Sequence, residues 1–163
     1  MFQVLVFVYE NYWRGDACPE LPQLHRKLSV AGFDEDEIQQ ALVWLEGLNV
    51  TVRGTQPSPA ANAVQPAAPV AAAEHSLRVF TVAEQDHLGA ECLGYVRFLE
   101  SAGVLSPTLR EIVLDRGMAA PGQPVSLDDL KIIILLVYWS FGAEPDALVL
   151  DELSSDRSTR LAH

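Results

Sequence analysis

From Gly54 to Ala73 the chain reads GTQPSPAANAVQPAAPVAAA, and this interruption governs every architecture open to the remaining residues. Prolines at 57, 59, 66 and 69 remove backbone donors and push the residues before them away from helical geometry. The eight alanines of the stretch offer too little apolar area to offset the entropy of ordering it. The stretch is a flexible linker or a very long loop. What flanks it therefore folds either as two tethered units or as one unit with a long excursion.

Before the interruption the pattern predicts three helices. Phe2 to Tyr12 is apolar on nearly every side, which fits a well-buried helix, with a strand as the alternative because Val4, Val6, Phe7 and Val8 are good strand formers. Glu20 to Ala31 sets Leu21, Leu24 and Leu28 on one face, and Gly32 follows as a left-handed cap. Asp34 with Glu37 three residues later resembles a capping box, and Ile38, Ala41, Leu42, Leu45 and Leu48 continue at helical spacing. Val50–Arg53 before the interruption and Leu77–Phe80 after it are β-prone and alternating. Paired antiparallel, they would make a two-stranded wing on a three-helix unit, with residues 54–75 as the loop inside it. The expectation for residues 1–81 is thus a winged-helix-like unit in a mainly α chain.

After Phe80 the pattern is helical again. Thr81 and Glu84 form a capping box, and Leu88, Cys92, Val96 and Leu99 follow down one face until Gly103. Ser106-Pro107 occupies the N-cap and first helical positions of the next helix, which carries Leu109, Ile112 and Val113. Pro121–Pro124 is a turn, and Ser126 with Asp129 opens a last helix through Ile132–Val137 to about Phe141. Residues 82–145 are therefore expected as a helical unit of three main helices. Residues 146–163 would add a short helix over Ala147–Leu153 and a frayed tail.

Charge restricts the partners. The chain has 11 Lys and Arg against 22 Asp and Glu, a net −11, and no stretch of it is basic. Affinity for nucleic acid comes from cations displacing counterions from phosphates, so direct phosphate contact is disfavoured. The helix opened by Asp34 makes this specific. Were it a recognition helix, its leading residues Asp34, Glu35, Asp36 and Glu37 would face phosphates. The apolar N-terminus lacks a basic lead and a small-residue cleavage site, and the run Ile132–Phe141 is half the length a bilayer needs. Two cysteines make no disulfide framework. A soluble cytoplasmic protein with no membrane contact is the expectation.

Several residues together point to a family. Ala31-Gly32-Phe33, Ile38 and Ala41–Glu46 resemble the first signature of the bacterial Smg family. Leu88, Cys92, Gly94, Phe98-Leu99-Glu100 and Gly103-Val104-Leu105 are similar to its central helix and turn, and Arg110-Glu111, Val113, Asp115-Arg116, Met118 and Leu127–Lys131 to its last two helices. The chain departs from that pattern at Ile132, where the family has Trp, and at Ser140–Ala143, where it has a polar turn with Pro. The resemblance implies no activity. The genes of the family lie beside those for DNA processing and translation, an associational pointer in that direction.

The candidate sites are few. Cys18, Cys92, His25, His75, His87 and His163 share no metal-ligand spacing, and His87, Glu91 and Cys92 make at most a fragment of a site. Cys92 lies on an apolar face with no histidine within a turn on that face, which suits a core thiol better than a nucleophile. The acids at 34–37 and at Asp128-Asp129 sit in first turns, where the helix dipole favours them. Arg110, Glu111, Asp115, Arg116 and Lys131 fit an ion-pair set, with Arg116 or Lys131 bridging Glu111 and Asp115. With Trp44, Glu46, Cys92 and Asp129 they form the candidate interaction or structural cluster. No catalytic residue, cofactor site or metal site is assigned. The expectation is a non-enzymatic adaptor or regulator binding another protein, with Tyr9, Tyr12, Trp13 and Trp44 as aromatics near exposed helix ends. A nucleic-acid-associated factor is the alternative, and an enzyme built on Cys92 a more distant one.

Overall fold

The computed structural model describes residues 1–12, 21–55 and 78–142. Six helices run through them: α1 (Phe2–Tyr12), α2 (Leu21–Ala31), α3 (Glu35–Thr55), α4 (Val82–Ser101), α5 (Pro107–Met118) and α6 (Leu127–Ser140). Polar caps set most of the boundaries. The Thr81 hydroxyl accepts from the Glu84 amide at 3.2 Å while the Glu84 carboxylate accepts from the Thr81 amide at 2.7 Å, closing the expected capping box. Ser106 and Ser126 cap α5 and α6 through the Leu109 and Asp129 amides. Asp34 accepts from the Asp36 amide, whereas Glu37 accepts from the Met1 amino group at 3.2 Å. Gly32 ends α2 with φ at +89°, and the Phe33 amide reaches back to the Leu28 carbonyl.

The helix α6 is the axis of the fold. Every residue from Leu130 to Tyr138 is buried, and α1, α3, α4 and α5 all pack against it. A helix apolar all round has no outward face, so it needs neighbours on every side. The helix α3 supplies one of them, with Leu45, Leu48 and Val52 among its buried residues, and α2, whose buried residues are Leu24 and Leu28, packs on α3. The helix α1 buries Val4, Leu5, Val8 and Tyr9 between α3 and α6, which settles that segment as helix rather than strand.

The two-stranded wing is not formed. Val50–Arg53 belong to α3, which runs to Thr55, and among the described residues no strand occurs. The reason is packing on the helical period: Val52 falls one turn after Leu48 on the face already buried, while Val50 stays exposed. The Thr51 and Thr55 hydroxyls donate to the Gly47 and Thr51 carbonyls, so the β-branched residues are accommodated inside the helix. Arg78–Phe80 belong to neither a helix nor a strand, with Val79 exposed and Phe80 buried. The winged-helix-like reading of residues 1–81 is therefore replaced by three helices, of which α1 and α3 pack directly on the C-terminal ones and α2 packs on α3. Of the expected loop, Gly54 and Thr55 are helical, while residues 56–77 lie outside the described part, as does the segment expected over 146–163.

Candidate functional site

Three polar clusters join α4, α5, α6 and α3, and each is built on a local peculiarity of sequence. The first surrounds a break in α4. Gly89 has φ 74° and ψ 165°, a conformation essentially restricted to glycine, and an added Cβ would touch Pro124 at 3.4 Å. The segment between α5 and α6 is sewn to this break. The Val125 amide donates to the His87 carbonyl at 2.8 Å, and the Cys92 thiol donates to the Val125 carbonyl at 3.3 Å. His87 Nε2 faces the Gly117 and Ala120 carbonyls at 3.2 and 3.1 Å. Two acceptors at one ring nitrogen require that nitrogen to carry the proton. Burial pushes the Cys92 thiol up to about 11, and the charges of Glu91 and Asp129 add to the effect. The thiolate is correspondingly scarce at neutral pH.

The second cluster is a chain of alternating charges. Glu100 pairs with Arg110, Arg110 with Glu111 at 2.8 Å, Glu111 with Arg78 at 2.8 Å and Arg78 with Glu84 at 2.7 Å. The Arg78 guanidinium is shared between two carboxylates, which hold its pKa above the ordinary value. The Arg78 hydrogen bonds, aided by those from Thr81, hold Glu84 at about 2 against burial acting the other way. Burial pulls Glu111 upward, and the bonds from Arg78 and Arg110 overcome it, leaving that carboxyl below its usual range. The Arg78 and Arg97 guanidinium carbons stand 5.2 and 4.9 Å from the Phe80 ring centre. The segment entering α4 is thus clamped to α5 by charge and by an aromatic plug.

The third cluster ties α3 to α5. The Trp44 indole donates to the Arg116 carbonyl at 3.0 Å, and Arg116 forms an ion pair with Asp115 at 2.7 Å. The Arg116 guanidinium lies where a Cβ at Gly47 would be, so the glycine makes room for it. Arg116 and Lys131 do not bridge Glu111 and Asp115, as the sequence reading had them. Glu111 turns to Arg78 and Arg110, and Lys131 is buried with its Nζ 5.7 Å from the Tyr95 ring centre. Asp129 accepts from the Ser126 hydroxyl, and Glu46 is exposed on α3.

The nine candidate residues therefore divide among separate places rather than lining one cleft. Arg78, Glu84 and Glu100 were not among them. Only the Thr81–Glu84 box was visible locally, because Arg78 meets Glu111 across 33 residues of sequence. Tyr9 and Trp44, expected near exposed helix ends, are both buried. Tyr12 keeps a partly open face under Lys27, whose Nζ is 5.0 Å from its ring centre, and Trp13 lies outside the described residues. Among the described residues no group of three or more His, Cys, Asp or Glu converges as metal ligands. Cys18, His75 and His163 lie outside them. No helix among the described residues is long and apolar enough to cross a membrane.

Known proteins resemble the chain along its whole length. It is 52% identical over 166 residues to a protein Smg homolog of Leptothrix cholodnii and 50% identical over 163 residues to one of Methylibium petroleiphilum, with all of each chain covered. A protein Smg homolog of Bordetella pertussis is 44% identical, again over the full length of both. No solved structure matches. The family profile described as "Protein of unknown function (DUF494)" matches residues 1–163, and with these relatives it shows that the chain belongs to the bacterial Smg family.

Proposed function

We propose that this protein is a non-catalytic adaptor that works by binding another protein. The observation that carries the reading is the direction in which its chemistry-bearing groups point. His87, Cys92, Arg110 and Lys131 are buried, and for the first three the partners are carbonyls or carboxylates of this same chain. The charge chain from Glu100 to Glu84 and the Trp44–Arg116 contact hold helices together. A thiol raised to about 11 and facing a carbonyl is a poor nucleophile. The outer surface instead carries large apolar side chains on an acidic body, among them Phe98, Val43 and Val50. A net −11 and four acids opening α3 favour a protein partner over phosphates.

Affinity capture with the full chain under native conditions tests the reading. The expected result is one protein recovered reproducibly in near-stoichiometric amount. Titration with DNA or RNA at low salt should be flat. Recovery of no reproducible partner, or salt-dependent binding to nucleic acid, would overturn it.

A further inference from the structure

The outward arc of α3 is a place where the charge of this acidic chain balances. From Ile38 to Thr55 only Glu46 and Arg53 are charged, and both are exposed. Neither has an ion-pair partner among the described residues. They do not reach each other, because seven residues set them about 10 Å apart along the helix. The same arc carries the two large apolar side chains that α3 turns to solvent, Val43 at 59% exposure and Val50 at 65%. These are also seven residues apart, two turns, and share one line along the helix. At 3.6 residues per turn, Glu46 and Arg53 fall together on one flank of that line. On the other flank the Arg116 guanidinium lies at Gly47, already paired with Asp115 at 2.7 Å.

The occupant that this arc fits is a second copy of itself. A two-fold axis midway between residues 46 and 53, at Asn49–Val50, brings Glu46 to Arg53 of the partner subunit and Arg53 to the partner's Glu46. Both charges are then met at once, and Val50 lies beside the axis. A parallel pairing would set like charge on like charge, so the two residues select the antiparallel direction. The acids that open α3, Glu35–Glu37, precede Val43 and fall beyond the overlap of the two helices. The net −11 of the chain is carried wholly outside residues 38–55, so two copies approach there with the least repulsion.

We propose that the outer face of α3, centred on Val50, joins two copies of this chain in an antiparallel, two-fold symmetric dimer. Val43 and Val50 supply its apolar contact, and the reciprocal Glu46–Arg53 pairs fix its register. The dimer goes beyond the adaptor reading and does not depend on it, since it needs no second protein. One helix face buries less than the about 1,200 Å² at the lower end of stable interfaces, so the dimer is a transient one, read at protein concentrations up to about 1 mM.

The test is sedimentation equilibrium of the full chain at pH 7 in about 0.15 M salt, where repulsion between the two bodies is screened beyond about 8 Å. A monomer–dimer equilibrium should appear within that concentration range, and the amide chemical shifts that follow concentration should fall on residues 39–54. Glu46→Arg and Arg53→Glu should each raise the dissociation constant at least tenfold. An equimolar mixture of the two should associate again, because each then offers the other opposite charges at both positions. The chain carrying both reversals should return to within threefold of the unsubstituted one. Both side chains are exposed, so circular dichroism and the unfolding midpoint should change little, and lost association is not lost folding. Glu46→Arg also makes the chain less negative, so general repulsion does not account for its weakening. A chain monomeric throughout that range, shifts centred away from α3, or single reversals within twofold of the unsubstituted chain would each overturn the proposal. So would a failure of both the mixture and the double reversal to recover association.

Discussion

Two glycines of one helix make opposite predictions for the same substitution. At Gly89 the backbone lies in a region that a Cβ disfavours by about 1–3 kcal/mol, and Pro124 crowds the added atom at 3.4 Å. At Gly94 the backbone is helical and the space open, so alanine should add up to about 1 kcal/mol of stability. Gly89→Ala should accordingly lower the denaturant midpoint and Gly94→Ala raise it, with m-values unchanged. The same sign for both would mean that α4 is not broken where the structure breaks it. Neither role was legible in the sequence, since the two glycines look alike five residues apart. What separates them is the Pro124–Val125 segment, which meets the helix from more than 30 residues away.

At the scale of elements, most helix ends were legible, but the last turns of α3, which runs to Thr55, were not. Thr81, Ser106, Ser126 and Gly32 announce their boundaries because a cap is a bond between residues a few positions apart. Val50-Thr51-Val52-Arg53 was misread because strand preference on its own favours those residue types, while burial of Val52 beside Leu48 is a tertiary matter. The clamp on the segment before α4 was invisible for the same reason. It can be tested by acid. Glu84 sits at about 2 against an ordinary 4.5, so the stability it contributes is complete above about pH 4.5 and is lost as the pH falls towards 2. Arg78→Ala removes the cationic partner of Glu84 and one of the two of Glu111, and should cost about 1–3 kcal/mol at neutral pH, between the exposed and buried ion-pair cases. The variant should also lose less midpoint than the unsubstituted chain between pH 4.5 and 2, because Glu84 then titrates nearly alike in folded and unfolded states. Parallel acid profiles for the two proteins would remove Arg78 from that role.

At the scale of the whole molecule, local attraction competes with global repulsion, and salt tells them apart. At neutral pH a net −11 is confined to a compact body, so its self-repulsion opposes folding more than it opposes the expanded chain. Raising sodium chloride from about 0.01 M to 0.15 M shortens the screening length from about 30 Å to about 8 Å, which removes the long-range repulsion while touching the partly buried pairs much less. The unfolding midpoint should therefore rise over that interval at pH 7. Near the isoelectric point of about 4.6 the net charge has gone, but Glu84 at about 2 remains ionised on Arg78. What salt screens there is mainly attraction, so the same addition should leave the midpoint level or lower it. The sign of the salt slope should thus turn between pH 7 and pH 4.6. A slope that stays positive at both values would mean that chloride acts through general exclusion from the surface rather than through charge. A slope negative at pH 7 would mean that the charge chain from Glu100 to Glu84 outweighs the field of the remaining acids.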